Sequence, residues 1–177
     1  MRKRAGGLLL HDDALIPKFK SFVEAVHATG AIVFQQINHN GRLLKSTSDL
    51  KTHIKTRPVG PSPVPHLSTG EVPHELTIPE IKELVEKFAQ AARRAEACGF
   101  DGVEIHGTHG YLINQFYSRY SNRRTDAYGG SLENRMRFPL EVYQRVRELT
   151  GKDFLVCYRL SGRTYEPVET PLEDVLE

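Results

Sequence analysis

Two imidazoles three residues apart carry the strongest chemical signal, in the run His106-Gly107-Thr108-His109-Gly110-Tyr111. A glycine after the first histidine lets the chain turn, so both rings can converge on one point. A pair of N–H donors aimed at a single oxygen stabilises negative charge developing there. Joined by His39, the same pair offers three nitrogen ligands with an open fourth position, as a catalytic zinc requires. A third reading leaves both as loop histidines bonded to backbone carbonyls. Spacing alone does not separate the three.

The segment Gln36-Ile37-Asn38-His39-Asn40-Gly41-Arg42 adds an amide, an imidazole and a guanidinium. Gln36 can meet the edge of a heterocycle with both a donor and an acceptor; as a bland alternative it is a polar cap on a strand. Arg159 follows four apolar positions, where an unpaired charge is costly, so it either pairs with a carboxylate such as Glu104 or faces an anionic ligand. Arg119, Arg123, Arg124, Arg135 and Arg137 are interleaved with Asp126, Glu133 and Glu141, which reads as a surface ion-pair network. A phosphate site in that stretch is the lesser reading.

These groups need a scaffold. Residues 12–29 place Leu15, Phe19, Phe22, Val23 and Val26 on one helical stripe, with Asp12 or Asp13 as cap and Gly30 after the last turn. Ala31-Ile32-Val33-Phe34 follows as a short apolar strand ending in Gln35-Gln36, buried on both faces as in parallel sheets. Between residues 40 and 78, Pro58, Pro61, Pro63, Pro65 and Pro73 with Gly60 and Gly70 forbid a long regular element. Such a connection reads as a lid or a small insertion. Thr77 and Glu80 then form a capping box, and Ile81, Leu84, Val85, Phe88, Ala92 and Ala95 make the apolar face of a second helix. A second strand, Gly102 to His106, and a polar loop over 107–130 follow. Ser131 caps a third helix with Phe138, Val142, Val146 and Leu149 as its stripe; Pro139 predicts a kink, or a start nearer that residue. Phe154 to Tyr158 is a third buried strand, and Pro171 to Glu177 opens another helical turn.

Helix and strand in alternation give an α/β fold with a parallel sheet. No G-x-G-x-x-G and no G-x-x-x-x-G-K-[ST] occurs, which disfavours a nucleotide-binding doubly wound sheet. Polar residues close all three strands, which favours a (β/α)8 TIM barrel, whose chemistry sits at the C-terminal strand ends.

Composition narrows the setting. A hydrophobic fraction of 39% and 177 residues suit one globular domain, and 24 basic against 22 acidic residues give no footprint for nucleic acid or a membrane surface. No apolar run reaches the roughly 18 residues of a membrane span. Arg2, Lys3 and Arg4 resemble a signal-peptide start, but the apolar stretch from Ala5 to Leu10 stops short at His11. Cys98 and Cys157 stand apart without a motif, as neutral thiols of a reducing, cytoplasmic compartment do.

The stretch from Gly99 to Phe116, Gly-Phe-Asp-Gly-Val-Glu-Ile-His-Gly-Thr-His-Gly-Tyr-Leu-Ile-Asn-Gln-Phe, resembles the Old Yellow Enzyme family of FMN-dependent ene-reductases. Asn122, Arg124-Thr125-Asp126, Tyr128-Gly129-Gly130-Ser131, Glu133-Asn134-Arg135, Arg137-Phe138 and the earlier Gln36-x-x-His39-x-Gly41-Arg42 fit the same pattern. So do Gly60-Pro61-Ser62 and Leu76-Thr77. The branch resembled is that of NADH:flavin oxidoreductases and 2,4-dienoyl-CoA reductases. The resemblance implies FMN at the C-terminal face of the barrel, with Gln36 on the flavin pyrimidine edge and Arg159 near N1 and O2. It implies that His106 and His109 hold a substrate carbonyl (some members have His then Asn) and that Tyr111 protonates the substrate carbon. NAD(P)H is then the reductant and a small α,β-unsaturated carbonyl compound the substrate, with homo-oligomerisation left open.

The resemblance covers nearly the whole chain, yet a barrel of this type needs about 250 residues. The three strands match barrel strands 3 to 5, and the phosphate site of such barrels lies after strands 7 and 8. No cysteine cluster for an iron–sulfur centre is present. Residues 1–177 are thus expected to form a partial FMN-oxidoreductase barrel, an internal piece, with a proline-rich insertion at about 40–78. The rivals are a barrel fragment without autonomous activity and a metal-dependent barrel hydrolase using His39, His106 and His109.

Overall fold

A computed structural model describes residues 10–44, 47–48, 55–163 and 166–176. The basic opening at Arg2–Arg4 and the apolar run up to residue 9 lie outside the described residues. Asp12 caps the first turn, its Oδ1 accepting from the Ala14 N–H at 2.9 Å. After a short 3-10 turn, helix α1 spans Ile16–His27 with Pro17 in its first turn, where no intrahelical donor is lost. Phe19 and Val23 are buried as expected, but Phe22 lies at the edge of the stripe and is 47% exposed.

Strand β1 spans Phe34–Ile37, three residues later than the apolar run suggests. The shift has a local cause. The Asp101 carboxylate takes the Val33 N–H at 2.6 Å, and the ladder to the next strand begins only at Phe34, opposite Gly102. Within 40–78 the described regular elements before the second long helix are a 3-10 turn at Gly41–Leu43 and four two-residue strands: β2 (Thr47–Ser48), β3 (Lys55–Thr56), β4 (Val59–Gly60) and β5 (His74–Glu75). Helix α2 spans Ile78–Ala97 and starts with the full capping box of Thr77 and Glu80. The Thr77 backbone N–H, then His74, hold the Glu80 carboxyl down to about 2.

Strand β6 (Gly102–Gly107), helix α3 (Leu112–Tyr117), helix α4 (Leu132–Leu149), strand β7 (Leu155–Leu160) and helix α5 (Glu173–Leu176) complete the order. Helix α3 lies where a continuous loop was expected. It is six residues long and all six are buried, so it has no polar face to mark it. Helix α4 runs through Pro139 rather than starting near it. The missing N–H is tolerated because Phe138, Pro139, Val142 and Val146 are all buried on one side of the helix. Helices α2 and α4 pack together, with Phe88 edge-on to Phe138.

The sheet has the order β1-β6-β7, all parallel and not closed into a barrel. Only central β6 is buried along most of its length; edge strand β1 is half-buried and edge strand β7 largely exposed, so burial of all three strands does not hold. Ile37, Val103 and Ile105 face the helices in one core with Val85, Phe88, Phe138 and Val142.

The arginine-rich segment differs from a surface network. Arg124 and Arg135 are buried and act as internal ties. Arg124 Nη1 donates to the carbonyls of Pro61 (2.9 Å) and Leu76 (2.6 Å), while its Nη2 pairs with Asp126. Arg135 donates to the carbonyls of Tyr117 and Gly130 and pairs with Asp174, which also pairs with Arg119. Glu141 goes to Lys82 and Tyr128, not to an arginine. Buried carbonyls from three loops outcompete solvent for these forks, which is why planar guanidinium groups are used there.

Candidate active site at the ends of the parallel strands

Strand alternation decides which side chains meet. Gln36 and Cys157 are in register with Glu104, and Arg159 with His106. In-register residues of parallel strands share a face, so these five lie together, opposite the apolar face that packs on the helices. Gln36 and Arg159 are exposed residues of the two edge strands, and His106 lies on the buried centre.

His106 is 3% exposed, and neither of its ring nitrogens bonds a protein atom. Burial, then His109 and Arg159, lower its pKa, with Glu104 opposing. It is therefore a neutral imidazole near pH 7, with one N–H to give and one lone pair. Gly107 behind it is required: a Cβ there would stand 2.5 Å from the Tyr158 ring. The rings of His109 and Tyr111 each lie 5.1 Å from that of His106, centroid to centroid. His109 reaches this position through a left-handed backbone, φ 58°, which non-glycine residues adopt only when the surroundings hold them.

His39 does not join the pair. Its Nδ1 accepts from the Gly41 N–H at 3.0 Å, and desolvation, with Lys87 adding to it, pushes its pKa down to about 4. Among the described residues no three His, Cys, Asp or Glu side chains converge as a metal centre requires, so the triad of His39, His106 and His109 is not assembled. Arg159 is not paired with Glu104 either. The ladder sets it one step further along, opposite His106, and Glu104 instead accepts from Gln36 Nε2 at 2.5 Å.

One residue that spacing did not single out holds the loops together. Gln115, fully buried on α3, donates from Nε2 to the carbonyls of Gly110 (2.6 Å) and Asn40 (3.3 Å), and its Oε1 accepts from the Arg42 N–H (3.2 Å). Gly41, at φ 61°, leaves it room; a Cβ there would lie 2.4 Å from Gln115 Oε1. The Leu112 N–H donates to the His39 carbonyl at 2.9 Å, and Thr108 bonds Ser161 across to the loop after β7. The only advance signal was a polar residue, Gln115, inside an apolar run. A cavity of about 640 Å³ beside β1 is lined by Gln36 and His39 together with α2 residues such as Leu84 and Phe88. It opens on the sheet flank and does not include the His106–His109 pair.

Two adjacent imidazoles, one with both nitrogens unspent, and a phenol against them can bind and polarise a carbonyl oxygen. Gln36 and the Arg159 guanidinium, which has no ion-pair partner among the described residues, flank the same face and suit the polar edge of a heterocycle.

The profile of the NADH:flavin oxidoreductase / NADH oxidase family matches residues 3–175. The NADH oxidase of Thermoanaerobacter brockii is 47% identical over 167 residues, 94% of this chain but 25% of that protein. The structure of 2-naphthoyl-CoA reductase with 2-naphthoyl-CoA superposes with a TM-score of 0.88 at 32% identity, covering 96% of this chain and 27% of that one. Morphinone reductase with tetrahydroNAD gives 0.76 at 38% identity, covering 84% and 44%. The chain thus spans between a quarter and a half of these relatives.

Proposed function

The chain belongs to the NADH:flavin oxidoreductase / NADH oxidase family, FMN-dependent oxidoreductases with a nicotinamide reductant, and from that premise we propose that it serves as the substrate-polarising part of an ene-reductase. Residues 1–177 are read as part of one FMN-binding barrel, with 40–78 as an insertion. Gln36 and Arg159 would hold the flavin ring at its polar edge. Bound FMN would supply the hydride chemistry that links NAD(P)H to an activated alkene. His106 and His109 donate to the carbonyl oxygen of an α,β-unsaturated compound and stabilise the negative charge that collects there. The Tyr111 hydroxyl, carried by the same loop, gives a proton to the α-carbon.

The observation that carries this reading is His106, buried with both nitrogens uncommitted and two polar rings against it. The similar structures support the chemical class, since one holds a conjugated thioester and another a nicotinamide analogue. The test separates the two half-reactions by stopped flow in the flavin-loaded protein. Tyr111→Phe should slow alkene reduction and leave flavin reduction by NAD(P)H near its original rate. Loss of one donor, in His106→Ala, should cost roughly 100- to 1000-fold in alkene reduction. Equal slowing of both half-reactions by Tyr111→Phe removes the tyrosine from the role of acid.

A further inference from the structure

We propose that Glu104 sets the donor–acceptor polarity of Gln36, so that this amide selects ring ligands offering an N–H beside a carbonyl oxygen; the proposal rests on the functional reading above. Gln36 is exposed, and an exposed glutamine amide turns about a broad, roughly two-fold torsion, presenting either end outward. Here it is not free. Its Nε2 lies 2.5 Å from Glu104 Oε1, in register across the β1–β6 ladder. An ionised carboxylate has acceptors and no donor, so only the NH2 end of the amide can meet it. The flipped amide would set two oxygens against each other.

Glu104 is available for this because Arg159, on the same face, stands one step along the ladder, opposite His106, and the carboxylate meets the Gln36 amide instead. The Gln36 backbone carbonyl is already taken, by Gln35 Nε2 at 2.8 Å, which leaves the side chain as the outward-facing group. What remains outward is Oε1, an acceptor, with one N–H beside it. That pattern complements an imide edge, an N–H flanked by C=O, as on the pyrimidine ring of a flavin. Glu104 is thus a positioning residue: it acts on the ligand through Gln36.

Two measurements test this. Side-chain amide NMR of Gln36 reads the lock without any ligand. One Nε2 proton should be shifted downfield and protected from exchange in the wild type, and both should take ordinary exposed values in Glu104→Ala. Titration with riboflavin and with N3-methylriboflavin, followed by flavin fluorescence, reads the selection. The wild type should prefer riboflavin by about tenfold or more, and Glu104→Gln, which can pair in either sense, should bring the two within about threefold. An identical Gln36 amide signal with and without Glu104, or undiminished rejection of the methylated ring by Glu104→Gln, overturns the proposal. A wild type that takes up neither ring overturns the functional reading instead, and the amide spectrum still decides whether Glu104 holds Gln36.

Discussion

Replacing Gln115 by leucine should loosen the two loops that bear the candidate site. The side chain is fully buried and makes three hydrogen bonds, to the Gly110 and Asn40 carbonyls and from the Arg42 N–H. The Asn40 carbonyl keeps a partner in the variant, since it also accepts from the Leu43 N–H at 3.1 Å. The Arg42 N–H and the Gly110 carbonyl do not. Losing the partners of the buried Arg42 N–H and the part-buried Gly110 carbonyl costs about 1–3 kcal/mol each, and burying leucine's apolar surface offsets about 1–2 kcal/mol. The middle of these ranges is a net of roughly 2–3 kcal/mol. Read as local opening, that corresponds to about 30- to 150-fold faster amide exchange, at 1.4 kcal/mol per tenfold. Hydrogen–deuterium exchange by mass spectrometry resolves this on peptides covering residues 40–44 and 109–112. Peptides from α2 serve as the control, because that helix is fixed by its own core. Unchanged exchange in both loops would show that the buried amide does not hold them, and acceleration everywhere would mean global destabilisation instead.

As a 177-residue chain the protein should self-associate, because β1 and β7 each leave one edge unpaired and exposed Leu155 and Leu160 lie on one of them; a monodisperse monomer in light scattering after gel filtration would contradict this. Stability should also fall in mild acid. Folding lowers the His39 pKa from 6.5 to about 4, so its contribution is complete above pH 6.5 and is lost as pH falls toward 4. Glu80, lowered from 4.5 to about 2, acts only below pH 4.5, while His106, lowered from 6.5 chiefly by burial, adds to the His39 loss, so the His39 variant removes part of the slope. His39→Gln should flatten the thermal midpoint between pH 6.5 and 4.5, and an unaltered slope in that variant would assign the loss to another group.

The elements with long stripes were legible in the sequence. Helix α2 begins where Thr77 and Glu80 put it, since a capping box is local chemistry. The start of β1 was not legible, because the Asp101 carboxylate that claims the Val33 N–H comes from 68 residues away. The same holds for the site. The motif around His106 and His109 was visible, and the two rings do meet. Their separation from His39, the pairing of Gln36 with Glu104 and the placement of Arg159 opposite His106 depend on ladder register, which no single segment encodes. Arg124 and Arg135 looked like surface charges because their partners, backbone carbonyls of distant loops, have no identity in a sequence.

The left-handed backbone at His109 acts as an admission rule for the second donor of the proposed carbonyl site. Residues that enter this conformation at small cost are glycine, asparagine, aspartate and histidine. Glycine brings no side chain, and an ionised aspartate would oppose negative charge on the carbonyl oxygen of the proposed substrate. Histidine and asparagine remain, each with a neutral N–H donor on a short stem. The main chain therefore restricts which donor can be installed before any substrate exerts a preference. Exchange of histidine for asparagine here would change the reach of the donor by about one bond length while leaving the turn itself undisturbed.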